Sequence, residues 1–85
     1  MKVFTIDCAG IHAPRDLHQA IAREMGFPDW YGNNLDALHD VLTAIGEDTA
    51  LNLLHFDALP PFSSRFRRVM EDAAEENPHL YVTFA

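Results

Sequence analysis

Three short apolar runs, held apart by long stretches of helical periodicity, constrain this chain more than any other feature. Val3-Phe4-Thr5-Ile6 is β-branched and aromatic and stops at Ala9-Gly10, so it reads as a strand. Ala50 to Phe56 is a second, mostly continuous apolar run, the pattern of a strand covered on both faces. Asn52 and His55 interrupt it, which places them at the strand's ends or at a less covered face. Leu80-Tyr81-Val82-Thr83-Phe84 is the third run. The connections between the runs are long and helical in pattern, and strands joined by such crossovers lie parallel. The expected fold is α/β: a small three-stranded parallel sheet with helices packed on it.

The helices have legible limits. Pro14 suits a first helical position, and Leu17, Ala20, Ile21 and Met25 then share one face. Gly26 fits a C-terminal cap, and Pro28 stops the helix. A second helix opens near Asn33 or Asn34, both good N-caps. Leu35, Leu38, Val41, Leu42 and Ile45 form its apolar stripe, and Gly46 closes it. Ala58-Leu59-Pro60-Pro61 is a rigid loop before a third helix that Ser63 or Ser64 can cap. Phe62, Phe66, Val69, Met70 and Ala73 keep helical spacing there, and Asn77-Pro78 ends it.

At 85 residues, 48% of them hydrophobic, the chain is read as one domain, 1–85, with a real core. No apolar run approaches the roughly 18 residues that read as a membrane span. The N-terminus lacks the apolar segment and cleavage site of a signal peptide, so the expected location is cytoplasmic. Cys8 is the sole cysteine, which rules out an intrachain disulfide and leaves a structural zinc site without thiolate partners. Nothing nearby activates its thiol and Asp7 disfavours the thiolate, so Cys8 reads as a small residue at a strand end.

The net charge of −7 is unevenly placed. Between Arg23 and Arg65 there is no Lys or Arg, while Glu24, Asp29, Asp36, Asp40, Glu47, Asp48 and Asp57 all fall there. Those seven acids equal the whole excess, because the six acids outside the interval balance the six bases. A field of one sign repels nucleic acid and speeds association with basic proteins. Direct binding to DNA or RNA is therefore not expected; a solvated acidic surface kept for solubility is the plainer alternative.

Within that interval the second helix presents Asp36, His39, Asp40 and Thr43 on the face opposite its apolar stripe. The dipole at the helix N-terminus favours an anion at Asp36 and helps Asp40 less. Two acids at i and i+4 also repel each other, so they gain little within the helix and point to a cationic partner. Trp30 and Tyr31 precede them, between Asp29 and Gly32-Asn33-Asn34. Aromatics beside fixed charges have the composition of an interface hot spot. Both are expected to be part-buried, with at least one presenting an edge to a partner.

Catalysis has thinner support. The five histidines show no metal-ligand spacing, and neither G-x-S-x-G nor a phosphate-binding glycine loop is present. Asp36 and Asp40 share one convex helix rather than flanking a groove. The alternative reading is a small metal-dependent or acid–base enzyme built on Asp36, His39 and Asp40, for which no further ligand is nominated. His18 reads as a packed or capping residue. No cofactor and no metal are expected.

The segment Trp30-Tyr31-Gly32-Asn33-Asn34-Leu35-Asp36-Ala37-Leu38-His39-Asp40 resembles the barstar family, intracellular inhibitors of secreted barnase-type ribonucleases. Asp16-Leu17-His18-Gln19 matches the family's first helix at the same spacing, and the likeness extends over essentially the whole chain. The resemblance implies a protein that is not an enzyme and that plugs a ribonuclease active site with its motif loop and second helix. It implies Asp40 as principal anchor, Asp36 as its partner, and Tyr31 and Trp30 as aromatic contacts, with Gly32, Asn34 and His39 in the same surface. Asp72 on the last helix falls at a further acidic position of the family, and Arg68, one turn earlier, is placed to neutralise it. The implied partner is a basic, extracellular-type ribonuclease or another toxin with a basic active site; a generic acidic interaction domain without a toxin partner is the remaining alternative. This chain departs from the family at His39, where a large aromatic is usual, at Asn33, often Glu, and at Trp30, a Tyr in the best-known member.

Overall fold

Backbone punctuation sets the elements. The computed structural model describes residues 1–85. Strand β1 spans Lys2–Asp7, helix α1 Pro14–Met25, helix α2 Leu35–Thr43, strand β2 Thr49–Leu54, helix α3 Ser63–Glu76 and strand β3 Leu80–Phe84, with a 3₁₀ turn at Phe56–Ala58. Pro14 takes the first turn of α1, and Gly26 ends it in the left-handed conformation at φ 68°, where a side chain would be strained. All three strands are parallel in the order β1-β2-β3. Phe4, Leu51 and Val82 lie side by side, as do Ile6, Leu53 and Phe84. This is the expected α/β architecture.

The helices cover one face of that sheet. Ile6, Leu51, Leu53 and Leu80 are buried, and they meet Leu17, Ile21, Leu38, Leu42, Phe66 and Met70 from the helices in a single core cluster. Full burial of each such aliphatic side chain contributes roughly 1.5–3 kcal/mol before entropy is counted. The other face carries Val3, Thr5, Tyr81 and Thr83, all exposed, and Asn52, whose amide bridges Thr5 and Thr83 across the sheet. The expectation that both faces of β2 are covered is therefore corrected. Its run reads as continuous because Ala50 and Leu54, on the open face, are apolar but only half-buried.

Two more boundaries differ from expectation. β2 ends at Leu54; His55 turns left-handed at φ 56° and sends Phe56 back into the core, its ring edge-on to Phe84 at 4.8 Å. Neither Ser63 nor Ser64 caps α3 with its side chain. The Pro60-Pro61-Phe62 carbonyls instead accept i→i+3 bonds from the amides of Ser63, Ser64 and Arg65, so a tight turn does the work of a cap.

α2 packs chiefly on α3. Asn77, buried just beyond α3, donates from Nδ2 to the carbonyls of Leu42 at 3.0 Å and Ile45 at 2.9 Å. It accepts at Oδ1 from the amide of His79. One side chain thus satisfies carbonyls that the end of α2 leaves without helical partners and holds the acidic helix in place.

Candidate functional site

The site begins where α1 ends. After Gly26 the chain makes a turn closed by the Tyr31 amide on the Pro28 carbonyl, at 3.0 Å. That turn sends the two aromatics opposite ways. Tyr31 is 9% exposed and Trp30 is 69% exposed. The expectation that both are part-buried is corrected: Tyr31 is buried and Trp30 stands in solvent.

The reason lies beneath the loop. The Tyr31 hydroxyl meets Nδ1 of buried His18 at 2.6 Å. Its ring sits edge-on to Phe27 at 4.9 Å, while His18 packs on Phe66 at 4.5 Å. Burial pushes the phenol well above its ordinary range and the imidazole below its own. Both groups are thus neutral at physiological pH. The phenol donates, Nδ1 accepts and Nε2 carries the ring proton, an assignment made from the pairing. His18 is therefore the packed histidine expected, with the added task of anchoring the loop.

The next three residues build the start of α2. A Cβ on Gly32 would meet Nδ2 of Asn34 at 2.9 Å, so a larger residue there would displace the Asn34 side chain. Asn33 adopts φ 51°, in the left-handed region that asparagine tolerates well. The cap is Asn34, whose Oδ1 accepts from the Ala37 amide at 2.7 Å. Gly32 and Asn34 thus shape the surface, and both are exposed on it.

Asp36 and Asp40 project from α2 into solvent. No Lys or Arg forms an ion pair with either. Asp40 shares a shallow groove of about 220 Å³ with Pro28, Trp30, Val41, Ala44 and Ile45. A carboxylate and an indole thus line the same groove, among otherwise apolar side chains.

His39 is half-buried between α2 and α3. Its Nε2 lies 2.7 Å from a carboxylate oxygen of Glu76, the last residue of α3, and its Nδ1 lies 3.9 Å from Asp40. Asp72 is exposed on α3, one turn before Glu76. Arg68, one turn earlier, forms no ion pair with Asp72, and Arg67 meets Glu71 at 3.5 Å and stacks over Phe84. Glu76 was missed from sequence because no local pattern links it to His39.

Nowhere do three or more His, Cys, Asp or Glu side chains converge as a metal would require, and Asp36 does not join His39 and Asp40 in one cluster. Cys8 is 1% exposed with its thiol pushed up to about 11, by burial first and by Asp7 second, so it is no nucleophile. No helix is long and apolar enough to cross a membrane.

Comparison with protein families matches residues 1–84 to the model described as Barstar (barnase inhibitor). The match spans the aromatic loop, the acidic helix and all three strands, so the chain belongs to the barstar family of barnase inhibitors.

Proposed function

We propose that this protein binds a basic ribonuclease of the barnase type, or a related toxin, in the cytoplasm and blocks the cleft that holds RNA phosphates. One observation carries the reading: two exposed carboxylates, Asp36 and Asp40, stand on one helix face with no Lys or Arg to neutralise them, beside an exposed Trp30. Carboxylates so placed substitute for phosphates against the cations of a phosphate-binding site. Asp40 is the principal anchor, Asp36 its partner, Trp30 the aromatic contact and Asp72 a further anion from α3. Tyr31, Gly32 and Asn34 act by shaping the loop.

Truncating one member of a desolvated interfacial charge pair costs about 2–5 kcal/mol, a range to which measurements on barnase–barstar itself contributed. Asp40→Ala belongs in that range. The charge of −7 steers the encounter, so association is fast at low ionic strength and slows as salt screens the field. The same field disfavours direct binding to RNA.

The test is a titration of the protein into a barnase-type ribonuclease while RNA cleavage is followed. Cleavage should fall to zero near one equivalent, and Asp40→Ala should restore it. Full activity at excess protein would refute the ribonuclease as target.

A further inference from the structure

We infer that His39 is a specificity-determining residue that makes partner binding depend on pH, by competing as a cation for the carboxylates a basic partner needs. The inference rests on the proposed binding face. Its own footing is the position of one imidazole between carboxylates of two different elements. Nε2 faces Glu76 of α3 at 2.7 Å, and Nδ1 faces Asp40 of α2 at 3.9 Å.

A neutral imidazole has one N–H. The 2.7 Å contact places that hydrogen on Nε2, where it donates to Glu76 and holds the end of α3 against α2. Nδ1 then carries a lone pair and offers Asp40 nothing. Asp40 stays available to a cation from outside. Histidine is the side chain whose ordinary titration falls in the physiological range. Once His39 is protonated, Nδ1 also carries a hydrogen and stands as a cation 3.9 Å from the Asp40 carboxylate. The imidazolium then spans both carboxylates and cancels one charge at the centre of the face.

The surrounding charges favour this bridge. On its own helix His39 is flanked by Asp36 and Asp40; from α3 it is met by Glu76, with Asp72 one turn before. No Lys or Arg is paired with any of the four acids. The arginines of α3, Arg65, Arg67 and Arg68, lie two turns or more from Glu76. The neighbouring Thr43 hydroxyl is already turned to the carbonyls of His39 and Asp40 and brings no charge. A cationic partner that reaches Asp40 and Glu76 must therefore displace a proton from His39, and acidification weakens its hold.

Two measurements test this. In the free protein, the side-chain carboxyl ¹³C resonance of Asp40 should shift in step with the His39 ring as pH is lowered. That step should vanish in His39→Gln, which keeps a donor toward Glu76 but cannot become a cation. An Asp40 resonance that moves alike in both overturns the inference, whatever the partner proves to be. Binding to a barnase-type ribonuclease is then compared at about pH 7.5 and about pH 5.5. The affinity of the unmodified protein should fall between them by more than that of His39→Gln, with a slope of up to about tenfold per pH unit, as loss of one proton on binding requires. Equal falls overturn it, since titration of the ribonuclease's own groups is common to both. Absence of binding at the higher pH refutes the ribonuclease reading alone, and the carboxyl resonance still decides the role of His39.

Discussion

Removing the hydroxyl of Tyr31 isolates one interaction beneath the binding loop. In Tyr31→Phe the ring keeps its edge contact with Phe27 and its packing beside His18, so no large cavity opens. What is lost is a hydrogen bond of 2.6 Å between side chains only 9% and 3% exposed. A neutral hydrogen bond contributes about 0.5–1.5 kcal/mol net, and a buried group left unpaired adds about 1–3 kcal/mol. Nδ1 of His18 is left in that condition, so the expected loss of stability is about 1–3 kcal/mol, well short of the roughly 3–5 kcal/mol for truncating an aromatic to alanine. Urea unfolding followed by far-ultraviolet circular dichroism measures it. Trp30 fluorescence is a poorer probe, because the indole is already mostly in water when folded. The midpoint should fall with its slope unchanged. A change below about 0.5 kcal/mol would show that the contact is not what anchors the loop.

The buried imidazole gives a pH signature. Burial holds His18 below its ordinary value, so the unfolded chain binds the more protons; stability is full above the ordinary histidine value of 6.5 and is lost as pH falls toward the lowered one, measurable as a declining urea midpoint. Asn77→Ala removes three hydrogen bonds and should cost roughly 2–4 kcal/mol at about 1 kcal/mol each with unpaired carbonyls left behind. Thermal unfolding checks the value, and a shift no larger than that of an exposed asparagine would refute Asn77's hold on α2. Asn34→Ala should cost about 1 kcal/mol through loss of the α2 cap, read from the same unfolding curves. Cys8 should resist a thiol reagent in the folded protein and react promptly in denaturant; fast native labelling would contradict its burial.

Taken alone, the sequence determined the order of strands and helices, their parallel pairing and the acidic face of α2. Each rests on local rules: strand composition, helical spacing, Pro14 and Gly26 at helix ends, and connections too long for hairpins. Asp36 and Asp40 could be placed outside because the apolar stripe of the same helix must point in. The division between Trp30 and Tyr31 was not legible, since adjacent aromatics in a loop share no periodicity. It was decided by His18, thirteen positions earlier, whose ring nitrogen captures one hydroxyl and leaves the indole in water. The bare face of the sheet likewise depends on all three helices gathering on the other side, which no single strand encodes. His39 shows the limit most clearly: the acids near it in sequence are Asp36 and Asp40, and only the packing of α2 on α3 brings Glu76 to its ring.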